Sequence, residues 1–178
     1  MNIFFIYLEP EEAARHHGDK HVIKMILESV QMLGTTWHLL HPGGSWMQDF
    51  EHHVGRPPYR KAFQNHPCTQ WTRSCHGNYQ WVCRLASELC LEKQRRWPDG
   101  PRHACEVMIQ WFSANSPFLD RSLLMTPPAK AMPFPDLKGP GTSIADSLDA
   151  YRRYYAFKES QGIVQYKRLP DRRPTWLP

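Results

Sequence analysis

The chain has 178 residues, of which 41% are hydrophobic and 12% aromatic, which suits one domain with a substantial core. Its formal net charge of +5, with 10 histidines besides, favours an anionic partner without requiring nucleic acid. The apolar run at residues 3–8 is too short for a membrane span or a signal-peptide core and follows no basic leader, which argues against membrane and secreted proteins.

The cysteines indicate a reducing compartment. There are 5 of them, an odd number, and no C-x-x-C pair. Four recur at intervals of seven or eight residues, as positions in a helical core would. We therefore predict free, buried thiols and a cytoplasmic protein.

The N-terminal part predicts a short apolar segment followed by a long helix. Residues 1–8 predict a buried strand or an extended lead-in. A helix is predicted over residues 11–40, because proline and carboxylates lie at its start and only Gly18 and Gly34 weaken it. At helical periodicity its apolar arc comprises Val22, Ile23, Met25, Ile26, Leu27, Val30 and Leu33.

The polar side of this helix carries histidine, lysine and glutamate at alternating spacings of four and three residues. Its members are His17, His21, Lys24, Glu28 and Gln31, with Asp19 and Lys20 near the helix start. A solvated helix face is one explanation of the pattern. Histidine is a mediocre helix former, however, and the crowding of three histidines into two turns favours a helix that lines a cleft.

The middle of the chain predicts a loop and a second helix. Residues 41–65 contain two consecutive prolines and a basic cluster, and a loop of this length is often a binding element. The second helix is predicted over residues 68–96, with Asn65 or His66 as its cap. Asn78 lies on its apolar face and needs a partner, supplied by the first helix's polar side or by an ordinary interhelical contact.

Further helices are predicted over residues 102–114 and 143–159, the latter capped by Thr142 or Ser143. The segment 117–140 is expected to be mostly extended, because proline and the residue before it avoid helix. The chain therefore predicts a mostly α protein. It would be a single compact helical domain, residues 1–178, built on a long N-terminal helix, with proline-rich loops and a basic tail at 160–178.

Three familiar kinds of catalytic site are disfavoured. His17 and His21 have the spacing of two metal ligands, but H-E-x-x-H is absent and neighbouring lysines would repel a dication, so no metal is expected. No P-loop and no G-x-G-x-x-G are present, so the chain is not expected to be a kinase. No G-x-S-x-G is present, and Cys68 beside His66 is a weak nucleophile–base pair.

Basic and aromatic residues instead suit a phosphorylated partner. Basic side chains from separate elements would gather around a phosphate, namely Lys20, His21, Lys24, His66, Arg73 and Arg152. Tryptophans interleave with arginines, as in proteins that follow a nucleic-acid backbone and stack on its bases. Core packing explains each aromatic residue equally well.

Several blocks of the sequence, taken together, resemble a family of small helical bacteriophage proteins, the proposed amino acid:DNA transferases of thymidine hypermodification. These blocks are A-A-x-x-H-x-D-K-H-V-x-K-M-x-L-E at 13–28, N-H-P-C-x-x-W-x-R at 65–73, A-M-P at 131–133, A-Y-R-x-Y-Y at 150–155 and R-P-T-W at 173–176. The resemblance covers most of the chain. A more distant similarity, to phage pyrimidine-dimer DNA glycosylases of the endonuclease V type, rests on the opening helix with its early histidine, a central helix and R-P-T-W.

The transferase resemblance implies amination of an activated DNA base. An upstream base kinase would phosphorylate 5-hydroxymethyluracil, and this protein would replace the phosphate with a free amino acid such as glycine. The expected partners are DNA, the amino acid and that kinase, in the cytoplasm of a phage-infected bacterium. No organic cofactor is expected, because the phosphorylated base carries the energy.

The same resemblance implies roles for individual residues. Lys20, Lys24, His66 and Arg73 would stabilise the departing phosphate. His21 or Glu28 would take the proton of the attacking amine. Asn78 would hold the uracil edge while Trp71 or Trp81 stacks on the flipped base, and Arg152 would bind the amino acid's carboxylate. His17 and Asp19 complete the predicted substrate-binding set.

Two alternatives remain open at this point. A glycosylase/lyase of the endonuclease V type would use an N-terminal amine freed by removal of methionine, but Asn2 follows Met1 here where those enzymes have threonine. So large a residue usually leaves the methionine in place. A non-catalytic DNA-binding protein would bind in a salt-dependent manner without chemistry.

Overall fold

The architecture is built from helices of very different lengths. The computed structural model describes residues 1–122 and 124–178, and in these ranges eight α-helices and one 3-10 turn form and no strand is present. The helices are α1 (Pro10–Arg15), α2 (Asp19–Leu40), α3 (Trp46–Val54), α4 (Pro67–Thr72), α5 (His76–Arg96), α6 (Glu106–Ala114), α7 (Pro135–Lys138) and α8 (Ile144–Ser160), and the turn is Pro170–Arg172. The predicted mostly α class is confirmed.

The helix predicted over residues 11–40 is interrupted at residues 16–18. The prediction of one continuous helix was therefore wrong, because α1 and α2 are separate helices. The backbone N–H groups of Gly18 and Asp19 donate to the Tyr155 hydroxyl and to the Gln165 carbonyl instead of bonding within a helix. Gly18 also allows a close approach, because a Cβ placed there would lie 2.8 Å from Val164 Cγ1. The interruption therefore lets the C-terminal part of the chain pack against the start of α2.

The core is centred on the packing of α2 against α5. Most of the predicted apolar arc of α2 is buried in one continuous hydrophobic cluster. Two of its members are not, since Ile23 is 41% and Leu27 37% exposed. The predicted arc was thus too broad, because α2 buries a stripe and leaves these flanking positions at the surface.

The N-terminal segment forms no strand among the described residues. Residues 3–6 are buried in the core, and Phe4 adopts a positive φ of 40°. Polar side chains hold the backbone of this segment, because Arg152 Nε donates to the Ile6 carbonyl at 3.1 Å and Trp81 Nε1 donates to the Leu8 carbonyl at 2.8 Å. The segment is therefore a buried lead-in to α1 and not a strand, and it is not extended throughout, because the Ile6 N–H donates to the Phe4 carbonyl at 2.8 Å in a turn.

The predicted second helix is also divided, into α4 and α5. The carbonyl of Trp71 accepts hydrogen bonds from the side chains of Ser74 and Asn78, and local bonds of this kind compete with helix continuation. The predicted cap is correct, since His66 Nδ1 accepts the N–H of Cys68 at 3.2 Å.

Further differences lie in the regions predicted as loops. α3 occupies part of the predicted loop 41–65, with Trp46 and Phe50 buried one turn apart. The short helix α7 lies in the segment expected to be extended, and α6 starts at Glu106 instead of 102. For α8 the prediction is accurate, because Ser143 and Asp146 form a capping box at its start.

All five cysteines are buried and free, as predicted. Burial raises the pKa of Cys68, Cys83 and Cys90 to about 12, so these thiols are not nucleophiles at neutral pH. Within the described ranges, no helix has both the length and the apolar character needed to cross a bilayer.

Candidate functional site

A cleft of about 280 Å³ lies where α2 meets the N-terminal segment and α8. We call it the Glu28 cleft. It is lined by Met1, Asn2, Phe4, Lys20, His21, Lys24, Met25, Glu28, Tyr154, Lys158 and Ile163. Three members of the predicted polar side of the first helix thus face one cavity, together with Lys20. This supports the predicted cleft-lining role of that side.

Glu28 is buried, and N–H groups and ammonium groups surround its carboxylate. Its Oε2 accepts the backbone N–H of Asn2 at 2.7 Å and lies 3.8 Å from the α-amine of Met1. Its Oε1 lies 3.5 Å from the Lys24 ammonium, which is itself largely exposed. The carboxylate is therefore held in a fixed position where it already pairs with two amines.

His21 is a neutral side chain at physiological pH. Its ring stacks on Phe4 at a centroid distance of 4.2 Å, and its Nδ1 lies 3.0 Å from the Tyr155 hydroxyl. Burial, followed by the nearby charges of His17, Lys158 and Lys24, lowers the pKa of His21 to about 3. An imidazole with so low a pKa is a weak base, so His21 is poorly suited to take the proton of an attacking amine, and we assign that role to Glu28.

His17 belongs to the core and does not line the cleft. Its side chain is fully buried, and Nδ1 donates to the carbonyl of Ala13. The remaining nitrogen, Nε2, is buried without a hydrogen-bond partner among the described residues. Burial is also the main reason that the pKa of His17 falls to about 4. His17 is therefore not placed to contact a substrate in the cleft.

We expect His17 to make stability depend on pH. Its pKa is about 4 in the folded chain and near the ordinary 6.5 when unfolded, so unfolding takes up a proton between these values. This contribution is complete above pH 6.5 and is lost as the pH falls towards 4. Compared with wild type, His17→Asn should reduce the slope of unfolding free energy against pH by about 1 kcal/mol per unit between pH 6 and 5.

Urea unfolding at several pH values would measure this slope. His52→Asn is the matched control, because His52 is exposed and forms no hydrogen bond with the described residues. An unchanged slope in His17→Asn would show that the folded protein accommodates a charged His17.

Two lysines of the cleft have no acidic partner among the described residues. Lys20 is exposed at the start of α2. Lys158 lies over two aromatic rings, 4.9 Å from the ring centre of Tyr154 and 5.5 Å from that of Phe4. These ammonium groups are available to an anionic ligand that enters the cleft.

Lys158 and Tyr154 were missed as site residues by sequence reasoning, as were the Met1 α-amine and Asn2. Tyr154 and Lys158 are four residues apart on α8 and so share a helix face. That spacing was visible in the sequence. The face that meets α2, however, depends on packing between elements more than a hundred residues apart.

His66 lines an adjoining pocket rather than the Glu28 cleft itself. That pocket shares Met1, Asn2 and Tyr154 with the cleft, so His66 lies next to the predicted catalytic group. Arg73 lines neither cavity and instead donates to the carbonyl of Gln64. His66 and Arg73 were predicted to lie at one site with the polar side of α2. His66 lies beside that site, in the adjoining pocket, and Arg73 lies away from both cavities.

Four other predicted substrate-binding residues have partners within the protein. Asp19 forms an ion pair with Arg96 at 3.0 Å, and Trp71 Nε1 donates to the Thr126 carbonyl at 3.0 Å. Trp81 and Arg152 hold the N-terminal segment through the bonds described above. These four side chains make contacts within the protein, and none of them lines the cleft.

Asn78 has a complete set of internal hydrogen bonds. The two N–H groups of its Nδ2 are shared among the Trp71 carbonyl, the Ser74 hydroxyl and the Thr126 hydroxyl, and its Oδ1 accepts the Thr126 N–H at 2.8 Å. The partner thus comes from the proline-rich segment and from α4, not from the polar side of α2. The side chain is fully buried, which fits a structural role.

We expect Asn78→Ala to lower the unfolding free energy by about 2 kcal/mol, because the buried side chain loses all its hydrogen bonds and the N–H of Thr126 loses its acceptor. Chemical denaturation would measure the loss, with Gln80→Ala on the same helix as control. If the variant kept wild-type stability but lost activity, the result would instead support the predicted contact between Asn78 and the base.

No group of three histidine, cysteine, aspartate or glutamate side chains converges as a metal site would among residues 1–122 and 124–178. Comparison of the chain with protein-family models, with curated proteins and with solved structures found no match.

Proposed function

We propose that the protein transfers an amino acid, through its amine, onto a phosphorylated 5-hydroxymethyluracil base of DNA. One observation carries the proposal: a buried carboxylate already paired with two amines lies in a cleft whose other charged side chains are lysines. Such a cleft combines an acceptor for an amine with cations for an anionic group, which are the two requirements of this reaction.

In the proposed reaction, Glu28 takes a proton from the ammonium group of the bound amino acid. The free amine then attacks the methylene carbon attached to C5 of the uracil. A carbon–nitrogen bond forms, the carbon–oxygen bond to the phosphate breaks, and the phosphate or pyrophosphate leaves with the electron pair. A positioned general base contributes about 10²–10⁴ to the rate of a step of this kind.

The amino acid's carboxylate is assigned to Lys20 and Lys158 instead of Arg152. Both lysines line the same cleft as Glu28 and have no acidic partner among the described residues. The Arg152 guanidinium, in contrast, lies over the rings of Tyr7 and Trp176, at 5.2 and 5.3 Å from their centres. The substrate's two charges would thus be matched within one cavity.

Mass spectrometry of digested DNA tests the proposal. Single-stranded and duplex DNA carrying phosphorylated 5-hydroxymethyluracil would be incubated with the protein and each amino acid in turn. We expect a nucleoside adduct with at least one amino acid, and none on DNA whose hydroxymethyluracil is unphosphorylated. Absence of adducts with every amino acid on both forms of DNA would refute the transferase.

The position of the Met1 α-amine, 3.8 Å from Glu28, supports a second candidate, a DNA glycosylase/lyase. An amine beside a carboxylate would attack the sugar C1′, release the base and form an imine. Borohydride would then trap the protein covalently on DNA containing pyrimidine dimers. This candidate fails if no trapped complex forms on damaged duplexes under conditions in which the protein binds them.

A further inference from the structure

A second pocket, of about 370 Å³, adjoins the Glu28 cleft. We call it the Lys138 pocket. It shares Met1, Asn2 and Tyr154 with the cleft, and its remaining wall includes His66, Lys130, Met132 and Lys138. A molecule that extends across the shared wall would therefore contact both cavities.

Buried side chains fix the wall of this pocket at residues 129–133. The Tyr151 hydroxyl donates to the Ala129 carbonyl at 2.8 Å and accepts the N–H of Ala131 at 3.3 Å. Asn2 Nδ2 donates to the Ala131 carbonyl at 2.7 Å. The Ala-Met-Pro block at 131–133 is thus tied to α8 and to the same N-terminal segment that contacts Glu28.

The charge of the Lys138 pocket differs from that of the Glu28 cleft. No acidic residue is among those that line it within the described ranges. Lys130 is positioned by hydrogen bonds to the carbonyls of Gly139 and Gly141. Lys138, the last residue of α7, has no acidic partner among the described residues. The pocket therefore carries two lysines and no carboxylate of its own, and Asp146 and Asp149 line a separate pocket on the other side of these lysines.

His66 adds a hydrogen-bond donor to this pocket. Burial is the main cause that lowers the pKa of His66, and the nearby α-amine of Met1 lowers it further, so the ring is neutral at physiological pH. Since Nδ1 accepts the N–H of Cys68, the proton of the neutral ring is on Nε2. No described residue accepts that proton, which leaves it available to a ligand oxygen.

We propose that the Lys138 pocket binds the phosphate or pyrophosphate group of the activated base, while the Glu28 cleft binds the amino acid. This inference rests on the proposed function for the identity of the two substrates. Two ammonium groups and a neutral imidazole donor suit phosphate oxygens, whereas the carboxylate of Glu28 would repel them. The shared wall of Met1, Asn2 and Tyr154 is then where the two substrates meet.

Calorimetric titration with inorganic pyrophosphate tests the assignment without requiring catalysis. We expect wild-type protein to bind pyrophosphate, and Lys138→Gln and Lys130→Gln/Lys138→Gln to bind it about tenfold or more weakly, since a lost charged contact of about 1.4 kcal/mol changes affinity tenfold. Lys20→Gln/Lys158→Gln in the Glu28 cleft and the exposed control Lys61→Gln should retain wild-type affinity.

The inference is wrong if pyrophosphate does not bind, or if its affinity falls in Lys20→Gln/Lys158→Gln and not in the Lys138 variants. With active enzyme, Lys138→Gln should raise KM for the DNA and leave KM for the amino acid unchanged. Failure of the transferase is a separate result: adducts would be absent while pyrophosphate affinity still responded to Lys138. In that case the anion site would stand and the proposed reaction would not.

Discussion

Replacing Glu28 with glutamine should reduce the rate of adduct formation at least about 100-fold, because an amide cannot take a proton from an ammonium group at neutral pH. Among the described residues that line the cleft, Glu28 is the only acidic one. The variant should remain folded, since the amide oxygen can still accept the N–H of Asn2. Loss of the 3.8 Å pairing with the Met1 α-amine should lower the melting temperature by only a few degrees.

Initial rates by mass spectrometry, with circular dichroism for folding, would measure this effect. Glu51→Gln is the control, because Glu51 is exposed on α3 and its side chain forms no hydrogen bond or ion pair with the described residues. A folded Glu28→Gln protein with wild-type rate would remove Glu28 from the reaction. The role of Glu28 would then be structural, namely to hold the N-terminal segment through Met1 and Asn2.

Local features of the fold could be predicted from the sequence, whereas the interruptions of its helices could not. The start of α8 depends on Ser143 and Asp146, which are three residues apart, and the prediction there was accurate. The interruption before α2 depends on Tyr155 and Gln165, nearly 150 residues away along the chain. No local pattern identifies a backbone N–H that will bond to so distant a partner.

In the candidate site, too, features that depend on local sequence were predicted correctly and those that depend on distant contacts were not. Periodicity correctly placed His21, Lys24 and Glu28 on one side of a helix, and that side lines a cleft. It also placed His17 there, yet the interruption at residues 16–18 gives His17 a different orientation, in the core. A strict helical register no longer applies to a residue that precedes the interruption, which is why the assignment of His17 failed. Gln31, at the other end of the predicted polar side, does not line the cleft either.

A buried ion-pair network holds the interruption in place and positions α2 for the cleft. Glu92 Oε1 accepts hydrogen bonds from Arg96 Nε at 2.8 Å and from Arg172 Nε at 3.0 Å. Arg96 also pairs with Asp19 at 3.0 Å, and Asp19 accepts the backbone N–H groups of residues 167 and 168. The side chains of Glu92 and Arg96 are only 1% and 0% exposed. The network therefore joins the end of α5, the start of α2 and the C-terminal tail.

Glu92→Ala should lower the unfolding free energy by about 3–5 kcal/mol, because it leaves the buried Arg96 guanidinium without its main partner. At roughly 2–4 °C per kcal/mol for a chain of this size, the melting temperature should fall by about 10 °C. Trypsin should also cleave faster after Lys167 and Arg168, since Arg172 loses its anchor. Glu88→Ala is the control, because Glu88 lies one turn earlier on α5, is partly exposed and has no hydrogen-bonded or ionic partner in the described chain.

Glu92→Gln separates the role of charge from that of hydrogen bonding. The glutamine oxygen can still accept both guanidinium bonds, which go to the same oxygen of Glu92, but it carries no charge, so the cost of this variant should lie between those of Glu88→Ala and Glu92→Ala. Because Asp19 and Lys20 begin the helix that carries Glu28, Glu92→Ala should also weaken amino acid binding at temperatures where the protein is still folded. If Glu92→Ala unfolded at the wild-type urea concentration, the network would be incidental, and packing of Gly18 against Val164 would be what holds the start of α2.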